Sequence, residues 1–140
     1  MRNILNCKCG EKMRDLAPFL LRVVVGLIFI MHGYQKLTMG VEGVTGFLGG
    51  LGFPMPALFA VLLIAAELGG GILLVLGVLT HWVAKILALV ALVALVTVHL
   101  QNGFFLPGGY EFILLILVAS ISLVLTGPGR YALDKKMRKH

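Results

Sequence analysis

Leu58–Phe59–Ala60–Val61–Leu62–Leu63–Ile64–Ala65–Ala66–Glu67–Leu68–Gly69–Gly70–Gly71–Ile72–Leu73–Leu74–Val75–Leu76 holds one ionisable residue, Glu67, in an otherwise apolar run. With its apolar flanks the run can cross a hydrocarbon layer, which takes about 20 residues of α-helix. A carboxylate at the centre of such a helix costs about 2.5–3.5 kcal/mol on insertion scales. Glu67 is therefore expected to face a partner or a cavity rather than lipid, and the fold can be worked out from what surrounds it.

The whole chain has the same character. Of its 140 residues 59% are hydrophobic and 13% charged, and the mean hydropathy is +1.02. Soluble domains carry about 25% charged residues, so the composition is that of a membrane protein. The net charge of +6 is concentrated at the ends: Arg2, Lys8, Lys12 and Arg14 on one side, Arg130, Lys135, Lys136, Arg138 and Lys139 on the other. Such flanks suit the cytoplasmic side of a membrane and attract anionic headgroups. No basic face with interleaved aromatics exists for nucleic acid. Cys7 and Cys9 lack the further Cys or nearby His that a structural zinc site requires, and are expected to be free thiols with no metal. Leu16 to Met31 resembles the apolar part of a secretory signal. It runs into His32–Gly33–Tyr34–Gln35–Lys36 instead of a small-residue cleavage site, so it reads as a retained span.

Four spans are predicted. The first runs from about Leu16, after a capping Asp15, to Lys36, with Pro18 in its first turn and Arg22 near its start. Leu37 to Pro56 is Gly-rich. Within it Val44, Phe47, Leu48 and Leu51 fall at i, i+3, i+4 and i+7, which predicts a short interfacial or re-entrant helix closed by Pro54 and Pro56. The second span covers Pro56 to Leu79. Thr80–His81–Trp82 is expected to form a turn at the interface, with Trp82 as anchor. The third covers Val83 to Leu100 and carries a small-residue stripe of Ala84, Ala88, Ala91 and Ala94. The fourth covers Tyr110 to Thr126 and stops at Gly127–Pro128–Gly129. The fold class is thus all-α, a four-helix transmembrane bundle with a short interfacial helix in the first outer loop. Residues 1–15 and 130–140 form basic tails around a membrane domain of residues 16–129.

Four spans place both termini on one side, and the distribution of Lys and Arg makes that side cytoplasmic. The first and third spans then rise outward and the second and fourth descend. His32 and Lys36 fall near the outer end of the first span, His99 near the outer end of the third, and Glu111 at the outer start of the fourth. Glu67 lies about 15 Å below the outer end of the second. Arg22 lies in the inner third, as a candidate ion-pair partner of Glu67 from below, with Lys36 the alternative from above. His32 and Lys36, four apart, share one helix face. These residues are the candidate ligand-binding or proton-transfer site, since Glu and His exchange protons within membranes. Gly69–Gly70–Gly71 is not a phosphate loop, because no Lys and hydroxyl come after it; it suits close helix packing. Neither a haem-ligating His pair within a span nor a Ser–His–Asp set is visible. Each candidate also has a plainer reading as an interfacial charge, a core histidine, or an ion pair that fixes helix register.

An ordered set of motifs carries a resemblance. His32–Gly33–Tyr34–Gln35–Lys36 closes the first span and Gly52–Phe53–Pro54–Met55–Pro56 precedes the second. Within the second span stands Glu67–Leu68–Gly69–Gly70–Gly71–Ile72–Leu73–Leu74 with Gly77, and at the end of the third His99–Leu100–Gln101–Asn102–Gly103–Phe104–Phe105. Gly108–Gly109–Tyr110–Glu111 opens the fourth span and Gly127–Pro128–Gly129–Arg130–Tyr131 closes it. From Leu16 to Asp134 the chain resembles the DoxX family of small bacterial and archaeal membrane proteins. The resemblance implies a four-helix protein of the bacterial inner membrane. It also implies association with quinone-linked or thiol- and oxidative-stress redox assemblies. The expected role is an accessory subunit with oxidoreductase partner proteins, and with a quinone as candidate cofactor. Two other roles use the same residues: a small proton-coupled carrier acting as a homo-oligomer, and a scaffold whose charges serve packing alone.

Overall fold

A computed structural model describes residues 15–105 and 107–134. Cys7, Cys9 and most of the basic tails lie outside the described residues. The described chain is a bundle of four helices: α1 Leu16–Gly50, α2 Pro56–Leu76, α3 Thr80–Ala94 and α4 Glu111–Thr126. The fold class is as the sequence predicts. Three helical stretches, Leu16–Gly50, Pro56–Leu76 and Thr80–Asn102, are long and apolar enough to cross a membrane; α4 is apolar but has 16 residues.

Two boundaries differ from expectation. The first span stays helical as far as Met39, and the expected short helix follows it directly, the two meeting at a kink at Gly40 with no loop between them. Nothing in Leu37–Thr38–Met39 disfavours helix, so it continues to Gly40, whose φ of 76° and ψ of 157° turn the chain. Only glycine takes that conformation readily. Beyond the bend, Val44 and Leu48 pack on Ala60 and Ile64 of α2 as a small separate core. The second difference is the α2–α3 turn, which lies at Gly77–Leu79 rather than at Thr80–Trp82. Gly77, at φ 71°, ends α2 with its N–H on the Leu73 carbonyl, and Val78 donates to the same carbonyl. Trp82 sits in the first turn of α3, exposed, with the Lys85 ammonium 4.5 Å from its ring centroid.

At the end of the bundle holding this turn, several parts are fastened together. Arg22 of α1 is fully buried. Its Nη1 donates to the carbonyls of Leu74 (3.1 Å) and Val75 (2.9 Å), and its Nη2 to those of Arg130 (3.3 Å) and Tyr131 (3.5 Å). The last turn of α2 leaves carbonyls without intrahelical partners and carries the negative end of the helix dipole, and a guanidinium satisfies both. Asp134 accepts from the Leu79 N–H (2.8 Å) and the Thr80 N–H (2.9 Å), capping α3 from a distance in sequence. The packed unit therefore continues past Gly129 to Asp134.

Helices α1 and α2 pack most closely. A Cβ on Gly26 would stand 2.9 Å from the Gly71 carbonyl oxygen, and one on Gly33 would stand 2.6 Å from the Leu68 nitrogen. Helices α3 and α4 form the second pair. The main core is contributed by all four helices, including Val25, Phe29, Leu74, Leu87, Ala91, Ile116 and Leu123. Leu20, Val24, Leu27 and Met31 form an exposed apolar stripe on α1, the surface expected of a helix in contact with lipid.

Candidate functional site

Above the main core, between the two helix pairs, lies a cavity of about 680 Å³. Phe29, Ala91 and Ile116 belong to both the main core and the cavity wall, so they form its floor. Val44, Phe47, Leu48 and Leu51 line it from the bent part of α1. These are the four residues whose spacing predicts an apolar face. Phe53, Phe59 and Leu62 continue the apolar wall along the α1–α2 connection and α2.

Glu67 lines this cavity and is buried, and its partner is Lys36. The ammonium lies 2.7 Å from Oε2 and 3.0 Å from Oε1. Gly33, one turn before Lys36, brings α1 against the α2 backbone at Leu68, the residue after Glu67. Close approach at Gly33 is what puts a lysine on one helix within reach of a carboxylate on the next. Arg22 is not the counter-ion. It lies towards the opposite end of α2 and spends its donors on backbone carbonyls, a partner that sequence cannot display.

His32 and His99 line the same cavity as Lys36 and Glu67. The structure thus brings together four of the five candidates. Glu111 is placed elsewhere. It is half-buried in the first turn of α4, with its N–H on the Phe104 carbonyl at 3.0 Å, and it does not line the cavity. Depth along a helix gives its height in the bundle but not the direction in which it faces. Gln35 and Met39 also line the cavity and were not singled out from the sequence. Their spacing from His32 and Lys36 places all four on one face of α1, which is the signal that could have found them.

The π turn at Leu95–His99 interrupts α3, and a 3₁₀ turn at Leu100–Asn102 comes after it. Among the described residues, no group of three or more His, Cys, Asp or Glu is arranged to hold a metal ion. What the site offers is a neutralised ion pair, two imidazoles and a large apolar wall.

The DoxX family model matches residues 17–100. The chain belongs to the DoxX family. It is 40% identical over 124 residues to "Putative oxidoreductase CatD" of Bacillus subtilis, covering 89% of each chain. It is 32% identical to "Inner membrane protein YphA" of Escherichia coli, over 88% of this chain and 91% of the relative. An uncharacterised protein of Haemophilus influenzae is 35% identical over 92% of this chain and 96% of its own. No solved structure matches. The family and the three apolar helices together make this DoxX protein an integral membrane protein in contact with the lipid bilayer.

Proposed function

We propose that this DoxX protein is a quinone-binding accessory subunit of a membrane redox assembly. The observation that carries the reading is the pairing of a large apolar cavity with Lys36, Glu67, His32 and His99 in its wall. Ligand sites of about 300–1,000 Å³ with apolar walls and a few polar groups bind compact apolar molecules. Lys36 and Glu67 cancel in charge, so the site favours a neutral ring over an anion. An ammonium has three N–H donors. Two are engaged by Glu67, and the third is available to a ring oxygen. A quinone accepts two electrons and two protons on reduction. Glu67 and His32 are the groups here that hold and release protons, and a partner oxidoreductase would supply electrons. The CatD relative's printed name accords with a redox role. The basic tails and the names of the Escherichia coli relatives support the bacterial inner membrane, with both termini cytoplasmic and the cavity in the outer half.

The test is equilibrium binding of decylubiquinone to purified protein in detergent. Wild type should bind. Lys36→Met and Glu67→Gln should each weaken binding about tenfold, the loss expected for a hydrogen bond to a charged group. In Glu67→Gln the ammonium loses the carboxylate that holds it in place. Equal affinity in all three proteins, or no binding by wild type, would sink the reading. A fall in thermal stability with no effect on binding would leave the pair a packing device.

A further inference from the structure

The polar groups of the cavity stand on two walls. Lys36 and Glu67, with His32, belong to α1 and α2, and His99 belongs to α3. Three observations distinguish His99. First, α3 does not stay α-helical to its end. The Leu100 N–H closes a π turn on the Leu95 carbonyl, and His99 is the last residue of that turn. A π turn takes in one extra residue, which rotates the rest of the helix by roughly 100° compared with an uninterrupted α-helix. Such turns are rare overall and are frequent at functional sites. Second, the side chain so turned lines the cavity. Third, its Nδ1 is buried and has no hydrogen-bond partner among the described residues. Folded proteins rarely leave such an atom unpaired.

The cavity is not sealed from the surroundings of the bundle. Phe59 and Leu62 of α2, with Ile86, Leu89 and Val93 of α3, line it and keep exposed apolar surface, as do Met39 and Phe47 of α1 and Phe112 of α4.

We infer that His99 is a second recognition point, facing the Lys36–Glu67 pair across the cavity. The site then selects a lipid-borne ring with a hydrogen-bonding oxygen at each of two opposite ends, over one with a single polar end. This deepens the quinone reading and rests on it. Lys36 donates to one oxygen and the His99 imidazole meets the other, its buried Nδ1 reaching the cavity once the ring turns about its Cβ–Cγ bond. A neutral imidazole nitrogen is either donor or acceptor, depending on the tautomer. As a donor it matches a ring carbonyl; as an acceptor it matches a ring hydroxyl. One residue thus serves both the quinone and the hydroquinone form, and the ring's tail lies along the exposed apolar part of the wall.

The experiment compares wild type, His99→Leu and His99→Gln with two probes, decylubiquinone and 4-decylphenol, which has a single polar end. His99→Leu should weaken decylubiquinone about tenfold and decylphenol less than about twofold. His99→Gln, whose amide both donates and accepts, should recover most of the loss. The thermal midpoint of ligand-free His99→Leu should equal or exceed that of wild type, because an unpaired buried nitrogen is removed. Unchanged decylubiquinone affinity in His99→Leu, an equal loss for both probes, or a lowered ligand-free midpoint would each overturn the inference. If Glu67→Gln loses decylubiquinone and His99→Leu does not, the inference about His99 alone fails. If wild type binds neither probe, the quinone reading fails and takes this inference with it.

Discussion

Arg22 is the most completely buried charged side chain in the described structure, and the four oxygens it binds are all main-chain carbonyls. Two of them close the last turn of α2 and two belong to the segment after α4. Removing the guanidinium leaves those carbonyls in an apolar setting with no donor, at about 1–3 kcal/mol for each buried one. Arg22→Met, which keeps the length and loses the donors, should lower stability by about 3 kcal/mol or more. Thermal unfolding in detergent should show the drop, and an unchanged midpoint would mean the carbonyls find other donors. Sequence placed Arg22 at the right depth but left its direction open, because carbonyl acceptors belong to every residue and mark none. Glu67 was legible for the opposite reason: one acid in a long apolar run demands a partner, and Lys36 was among the few cations at reach.

At the scale of the helix, glycines separate packing from permissiveness. A Cβ on Gly33 would meet the backbone of Leu68 at 2.6 Å, whereas one on Gly46 meets nothing within 4 Å. Gly33→Leu should therefore push α1 from α2, costing about 1–3 kcal/mol or more from overpacking. It should also break the Lys36–Glu67 contact and so weaken decylubiquinone binding. Gly46→Ala in the same helix should be neutral, or stabilising by about 0.5–1 kcal/mol. Paired melting curves of the two variants test this; equal effects would remove the argument for close approach. The apolar face of Val44, Phe47, Leu48 and Leu51 was readable because its spacing is helical. The bend at Gly40 was not, since several glycines in that stretch look equally able to break a helix and only packing on α2 chooses among them. The π turn has no residue signature either. His99 could be placed at a height, while the rotation that turns it to the cavity is a property of the backbone alone.

The molecule as a whole is fastened at one end and hollow towards the other. Arg22, Gly77, the segment after Gly129 and Asp134 join α1, α2, α3 and the chain beyond α4 at the end of the α2–α3 turn. The Gly129 backbone presses on α1 so closely that a Cβ there would stand 2.6 Å from the Phe19 nitrogen. The cavity lies on the other side of the main core. The positive residues of the tails predict that this fastened end faces the cytoplasm. A green fluorescent protein fused after His140 should therefore fluoresce, and alkaline phosphatase at the same point should be inactive; the reverse pattern would place the cavity on the inner side. Helix number and tail charge were legible in the sequence, because both derive from composition along the chain. The division into two helix pairs with a cleft between them was not, because which apolar faces meet depends on glycines and carbonyls rather than on hydropathy.

The Lys36–Glu67 pair also bears on how the chain enters the bilayer during synthesis. Its members are separated by 31 positions, on consecutive helices. Taken into hydrocarbon singly, each charge costs about 2.5–3.5 kcal/mol. If α1 and α2 enter together as a hairpin, the charges meet before either is surrounded by lipid and much of that cost is avoided. Entry as a hairpin would make the two helices a unit of membrane insertion as well as of packing, and a substitution at either charge would then act on biogenesis before it acts on the finished site.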